Sequence, residues 1–145
     1  KLIGIQAISF DKMNQLRHAK YLQSKEHTLA LMKEHAKILK PKFDMVVSTL
    51  EREIAPLGIA TWHKPKGGYF VSVNTTPGLA KRTLALCKEA GVVMTSAGAT
   101  YPYGHDPADS NIRVAPSLPP VEELEQAMAV FCCCLKLAAL EKSKK

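Results

Sequence analysis

Leu29, Met32, Ala36, Leu39, Phe43, Val46, Val47 and Leu50 recur with a period of about 3.6 residues, which predicts one long amphipathic helix from a cap at Ser24 to about Ile54. Pro41 falls inside that pattern and should kink or restart the helix, because it lacks an N–H and crowds the preceding turn. Before it, Ser9 is placed to cap a shorter helix, with Asp11 in the first turn and Met13, Leu16, Tyr21 and Leu22 apolar, ending near Gln23. Pro56 and Gly58 stop the long helix. Beyond them the period changes. Ile59–His63 and Tyr69–Val73 read as strands, the second setting Tyr69, Val71 and Val73 against Phe70, Ser72 and Asn74. Thr76-Pro77 should open a helix through Leu79, Leu86, Cys87 and Ala90 that ends at Gly91. Val92-Val93-Met94 reads as a short buried strand, 95–110 as a Gly- and Pro-rich loop, and Ile112–Ala115 as a further strand. Pro119-Pro120 introduces a last helix whose Val121, Leu124, Met128, Phe131 and Leu135 form one stripe. Helices alternating with strands over about ninety residues predict a small α/β layer domain.

Composition narrows the class. With 145 residues and 46% apolar content the chain can bury a core of its own. It has no apolar run of bilayer length and no secretory start, so a soluble, cytoplasmic protein without a membrane partner is expected. The first residues, Lys1-Leu2-Ile3-Gly4-Ile5, read as the end of an element, which points to a piece of a longer polypeptide. The net charge of +7 raises the question of nucleic acid. Lys33, Lys37 and Lys40 recur at helical spacing without interleaved aromatics, so a solvated helix face is the better reading, and no nucleic-acid partner is expected. Cys132, Cys133 and Cys134 are consecutive and point in different directions on a helix; together with Cys87 they read as small fillers in a reducing compartment. His18, His27 and His35 are too scattered for a metal site, and none is expected.

The candidate chemistry centres on Asn111-Ile112-Arg113-Val114-Ala115-Pro116, a single arginine inside a short apolar strand. Arginine keeps its charge, so such a setting needs an anion to meet its planar fork. That anion is either a bound carboxylate or a structural partner such as Asp106 or Asp109. Gly67 and Gly68 either shape a hairpin or let backbone approach a cleft. Tyr69 reads as core, and Tyr101 and Tyr103 as loop residues able to reach a ligand or to pack on the surface. His63 and His105 have no nucleophile at a useful spacing and read as incidental.

Taken in order, Lys66-Gly67-Gly68-Tyr69-Phe70, the Ala-Gly-Val run at 90–92 and Asn111-Ile112-Arg113 resemble the C-terminal small domain of fold-type I, pyridoxal-phosphate-dependent aminotransferases in the aspartate aminotransferase superfamily. The likeness extends from about Ser9 to Leu140 and covers the last third or so of such an enzyme. It implies residues 1–23 as the end of the large domain and connecting helix, 24–56 as a long kinked interdomain helix, and 57–145 as a small-domain α/β sandwich. By the same resemblance Arg113 binds the substrate α-carboxylate, while Phe70 and Gly68 line the substrate pocket. The cofactor would be pyridoxal 5'-phosphate, held mainly outside this chain, with no cofactor-binding residue assigned here. The Schiff-base lysine would lie upstream of Lys1, so the 145-residue chain alone should carry no catalytic residue and be inactive. An aspartate-like donor, a 2-oxo acid acceptor and a homodimer are implied. The same small domain serves carbon–sulfur lyases, decarboxylases and the effector domains of some transcriptional regulators, and these remain alternatives. A free-standing basic binding module would instead have to bind its anion without Arg113.

Overall fold

The computed structural model describes residues 11–144. The chain divides into two compact units, Lys1–Ile38 and Leu39–Lys145. In the first, helix α1 (Lys12–Leu22) begins at Asp11, whose side chain accepts the Asn14 N–H at 3.1 Å and so satisfies one of the open donors of the first turn. Asp11 is thus the cap itself, while Ser9, expected in that role, lies outside the described residues. Helix α2 (Lys25–Glu53) is capped as anticipated, the Ser24 hydroxyl accepting from His27 N at 3.2 Å. It runs through Pro41 without restarting, and the division between the two units falls three residues before that proline. In the first unit the apolar stripe lies open. Met13, Leu16, Tyr21, Leu29, Met32 and Ile38 are all exposed.

The second unit takes in the C-terminal half of α2. Val46, Leu50 and Ile54 are wholly buried there, one turn apart on one face. A 3-10 turn over Ala55–Leu57 ends at Gly58, whose left-handed φ of 63° reverses the chain into strand β1 (Ala60–Trp62). Strand β2 (Val71–Thr75) pairs antiparallel with β1 and with β3 (Asn111–Val114), giving a sheet in the order β1-β2-β3. The strand anticipated at Tyr69–Val73 therefore begins two residues later. Tyr69 lies outside it and is 59% exposed, so it is not a core residue. Val71, Val73 and Thr75 point inward, as do Ile112 and Val114 from β3.

Helix α3 (Ala80–Glu89) and helix α4 (Val121–Ser143) complete the helical layer. Thr76 does not cap α3; its hydroxyl donates to Ile59 O, and the helix starts four residues on. The cap comes from 28 residues away. Asp109 accepts the Lys81 N–H on its side chain at 3.0 Å and the Ala80 N–H on its carbonyl at 3.0 Å. Helix α4 buries Leu124, Met128, Phe131, Cys132, Cys134, Leu135 and Ala138. All these side chains join those of α2, α3 and the inner sheet face in one apolar cluster, so the unit is a two-layer α/β sandwich. Its rim carries cross-element ion pairs, Lys136 to Glu53 at 2.8 Å and a two-pronged Arg82–Glu141 contact at 2.7 and 2.8 Å. Burial pushes the Cys132 thiol up to about 11 and the Cys87 thiol up to about 12, which leaves both as inert fillers.

The segment Val92–Met94 is not a strand: it has no ladder, and Val93 is 83% exposed. Three apolar residues are too few to establish a period, and among the described residues β3 pairs only with β2.

Truncating Phe131 to Ala removes the largest wholly buried side chain and should cost about 3–5 kcal/mol of unfolding free energy, measured by urea titration. Cys133→Ala, on the exposed side of the same helix, should stay within about 0.5 kcal/mol.

Candidate functional site

The inner face of the sheet is apolar, so the period-two alternation turns the intervening residues to the other side. There Ser72 stands opposite Arg113, and Asn74 opposite Asn111. Phe70, two positions before Ser72, places its ring under the arginine, with Cζ 4.4 Å from the ring centroid. A flat cation over an aromatic face is attractive and fixes the plane of the guanidinium.

Arg113 is half-buried, and its Nε is buried with no hydrogen-bond partner. No carboxylate among the described residues pairs with it. The two acids that could have served as structural partners are otherwise engaged. Asp109 caps α3, and the Asp106 carboxylate accepts the backbone N–H groups of Ala108, Ser110 and Asn111 at 3.0, 2.7 and 2.8 Å. Of the alternatives open for Arg113, a structural salt bridge with either aspartate is therefore set aside.

Asp106 organises the approach to β3. Its side chain is only 5% exposed, and the Asn111 and Ser110 N–H groups hold its carboxyl below the usual carboxylate range against the opposing effect of burial. The loop before it closes on itself at Gly98, where φ is +82° and an added Cβ would lie 2.1 Å from Gly104 O. Thr100, two residues after Gly98, donates to Asn111 Oδ1 at 2.7 Å and so fastens the loop to the sheet. Tyr103 stands fully exposed with φ +58°, and Tyr101 is partly exposed. Gly68 adopts φ +90°, a backbone state that favours glycine, and its Cβ side is open. An apolar hollow of about 330 Å³ borders Arg113, lined by Val92, Met94, Leu118, Leu124 and Phe131. His63 and His105 are exposed and outside this constellation. Among the described residues there is no grouping of His, Cys, Asp or Glu suited to a metal, and no helix is long and apolar enough to cross a membrane.

A cation on an open sheet face, stacked on an aromatic and lacking an internal counter-ion, is suited to a planar anion, above all a carboxylate. Comparison with known proteins gives that site a context. The sequence profile of the aspartate amino-transferase family matches residues 1–145. The chain belongs to the aspartate aminotransferase family. It is 49% identical over 138 residues to an aspartate aminotransferase of Corynebacterium glutamicum, covering 95% of this chain and 32% of that protein. The crystal structure of an aspartate transaminase from the same species superposes with a TM-score of 0.86 at 48% identity, covering 97% of this chain and 33% of the other. A kynurenine aminotransferase of Pyrococcus horikoshii, at 22% identity and TM-score 0.67 over 81% of this chain and 28% of that one, shares the fold. The chain thus spans about a third of the length of these family members.

Sequence reasoning singled out Arg113 and Phe70, and the structure brings them together; it places Gly68 two residues before Phe70 in the turn entering β2. It missed Asn111 and Asp106 as organisers. An Asp-Pro followed by Ala-Asp-Ser was a usable signal for the second, since aspartate in such a turn accepts nearby N–H groups.

Two outcomes test this loop. Gly98→Ala must force the backbone at Gly104 aside as well as strain a left-handed residue, and should lower stability by more than about 2 kcal/mol in chemical denaturation. For Asp106 the carboxyl is depressed in the folded state, so its contribution is fully present above the ordinary carboxylate value of about 3.9 and is lost as pH falls through the depressed one. The melting-temperature gap between wild type and Asp106→Asn should accordingly be constant near neutrality and shrink below about pH 4.

Proposed function

We propose that this chain is the C-terminal, substrate-carboxylate-binding part of a pyridoxal-phosphate-dependent aminotransferase. In this reading it moves an amino group between an amino acid, with aspartate the best candidate, and a 2-oxo acid such as 2-oxoglutarate. The observation that carries the proposal is Arg113, a cation with a buried unpartnered Nε, no internal carboxylate and an aromatic ring beneath it. Family membership and the aspartate specificity in the name of the C. glutamicum relative support the same reading.

Arg113 would grip the α-carboxylate through two parallel N–H···O bonds, which fixes the direction of the other substituents on the α-carbon. Phe70 holds the plane of that fork and walls the pocket, and the turn at Gly68 leaves room beside it. Pyridoxal 5'-phosphate, when bound, supplies the electron sink for chemistry at the α-carbon. The lysine that carries it is assigned to polypeptide outside these 145 residues, so the chain alone would be inactive. Residues 1–23 and 24–56 would then connect a large domain to the small domain at 57–145, in a cytoplasmic homodimer.

The test is to replace Arg113 by Lys and by Met in the complete protein and to follow aspartate–2-oxoglutarate transamination. Loss of the bidentate contact should lower kcat/KM by about 30- to 1,000-fold, the equivalent of roughly 2–4 kcal/mol. Because no internal anion is orphaned, the Met variant should melt at or above the wild-type temperature. Unchanged kcat/KM in both variants would overturn the proposal.

A further inference from the structure

The outer face of the sheet holds one more group whose hydrogen bonding is incomplete in a directed way. Asn111 is 8% exposed, and both polar atoms of its side chain are hydrogen-bonded. Nδ2 donates to Ser72 Oγ at 2.9 Å and to Asn74 Oδ1 at 2.7 Å, while Oδ1 accepts from the Thr100 hydroxyl at 2.7 Å. Both amide hydrogens are therefore committed to β2, and the amide oxygen to the loop.

Ser72 receives the consequence. Its Oγ accepts from Asn111, which occupies one lone pair and restricts the rotation of the hydroxyl. Its own proton has no acceptor among the described residues. Ser72 is also the register partner of Arg113, and directly opposed residues on one face of an antiparallel pair have Cβ atoms about 4.5–5.5 Å apart. Phe70, Ser72 and Asn74 follow the same side of β2, so the hydroxyl stands between the ring that carries the guanidinium and the amide network that closes the other end.

We infer that the Ser72 hydroxyl is a second donor to the carboxylate held at Arg113, and that Asn111 is the positioning residue that aims it. A carboxylate offers about four acceptor positions and the arginine fork uses two, so a third donor has a place to bind. A fixed hydroxyl loses little freedom on binding, which is the physical advantage of tying it to a saturated amide. This inference rests on the reading of Arg113 as the carboxylate ligand.

The experiment compares Ser72→Ala, Asn111→Ala, the double variant and Arg113→Lys in the complete protein, using the inhibition constant of maleate, an unreactive dicarboxylate, together with KM and kcat for aspartate. Ser72→Ala should weaken maleate and raise KM by about tenfold while kcat stays within about twofold. Asn111→Ala should do the same, and the double variant should be no worse than Ser72→Ala alone, because the amide acts through the hydroxyl. Ser72→Ala with wild-type inhibition constant and KM, beside an impaired Arg113→Lys, would overturn the inference and leave the role of Arg113 standing. Losses that multiply in the double variant would overturn the positioning role of Asn111. An Arg113→Lys protein with unaltered maleate binding would instead bring down the underlying reading. Ser72→Ala also takes the acceptor from one Asn111 amide hydrogen and should lower the melting temperature, so the constants are measured well below the melting temperature of each variant.

Discussion

The pairing register of β2 and β3 is the constraint on which the rest of the second unit depends. With Val73 opposite Ile112 and Val71 opposite Val114, the apolar side chains meet the helices, and Arg113 opposite Ser72 is turned to the outer face. A slip of β3 by one residue would invert that strand, driving a permanent cation into the cluster around Phe131 and exposing Ile112 and Val114. The apolar core and the position of Arg113 are thus specified by the same pattern. Neither can be altered without the other.

The loop entering β3 is held by groups that would otherwise compete for the arginine. Asp106 is five residues from Asn111, yet its charge is consumed by three backbone donors; Asp109 is consumed by the N-terminus of α3. Both acids are near Arg113 in sequence and neither neutralises it. Engaging them elsewhere keeps the guanidinium available, at the cost of a buried Nε without a partner. An unsatisfied buried donor opposes folding, so its persistence at one position of a well-packed sheet is the kind of local conflict expected where binding sets the requirement.

What could be read in advance follows the range of the interaction. The second and last long helices, the strand alternation and Arg113 depend on spacing within a few residues, and the structure agrees with them to within a turn or two residues. The start of α3 was misplaced because Thr76-Pro77 looks like a local cap, whereas the cap actually used is Asp109, reached only after the chain has folded back. The amide network of Asn111 is likewise tertiary: its partners lie at positions 72, 74 and 100, and nothing in the neighbourhood of residue 111 names them. Periodicity also cannot say what an apolar stripe faces. Val46 and Leu50 of α2 are buried, but Leu29, Met32 and Ala36 of the same helix are exposed although they obey the same repeat.

The choice of arginine at position 113 follows from the surface that carries it. The guanidinium lies over the Phe70 ring, with Cζ 4.4 Å from the ring centroid, a contact that favours a stacked plane for an arginine. A lysine ammonium could sit over the same ring, but it has no plane to be fixed and would approach a carboxylate as a point charge. Under the proposed function the aromatic contact would be part of recognition, converting the direction of a strand into the orientation of a bound anion. In the same proposal the hydrogen-bonded amide of Asn111 would do for the neighbouring hydroxyl what the ring would do for the arginine, leaving the outer sheet face with donors whose acceptors come from elsewhere.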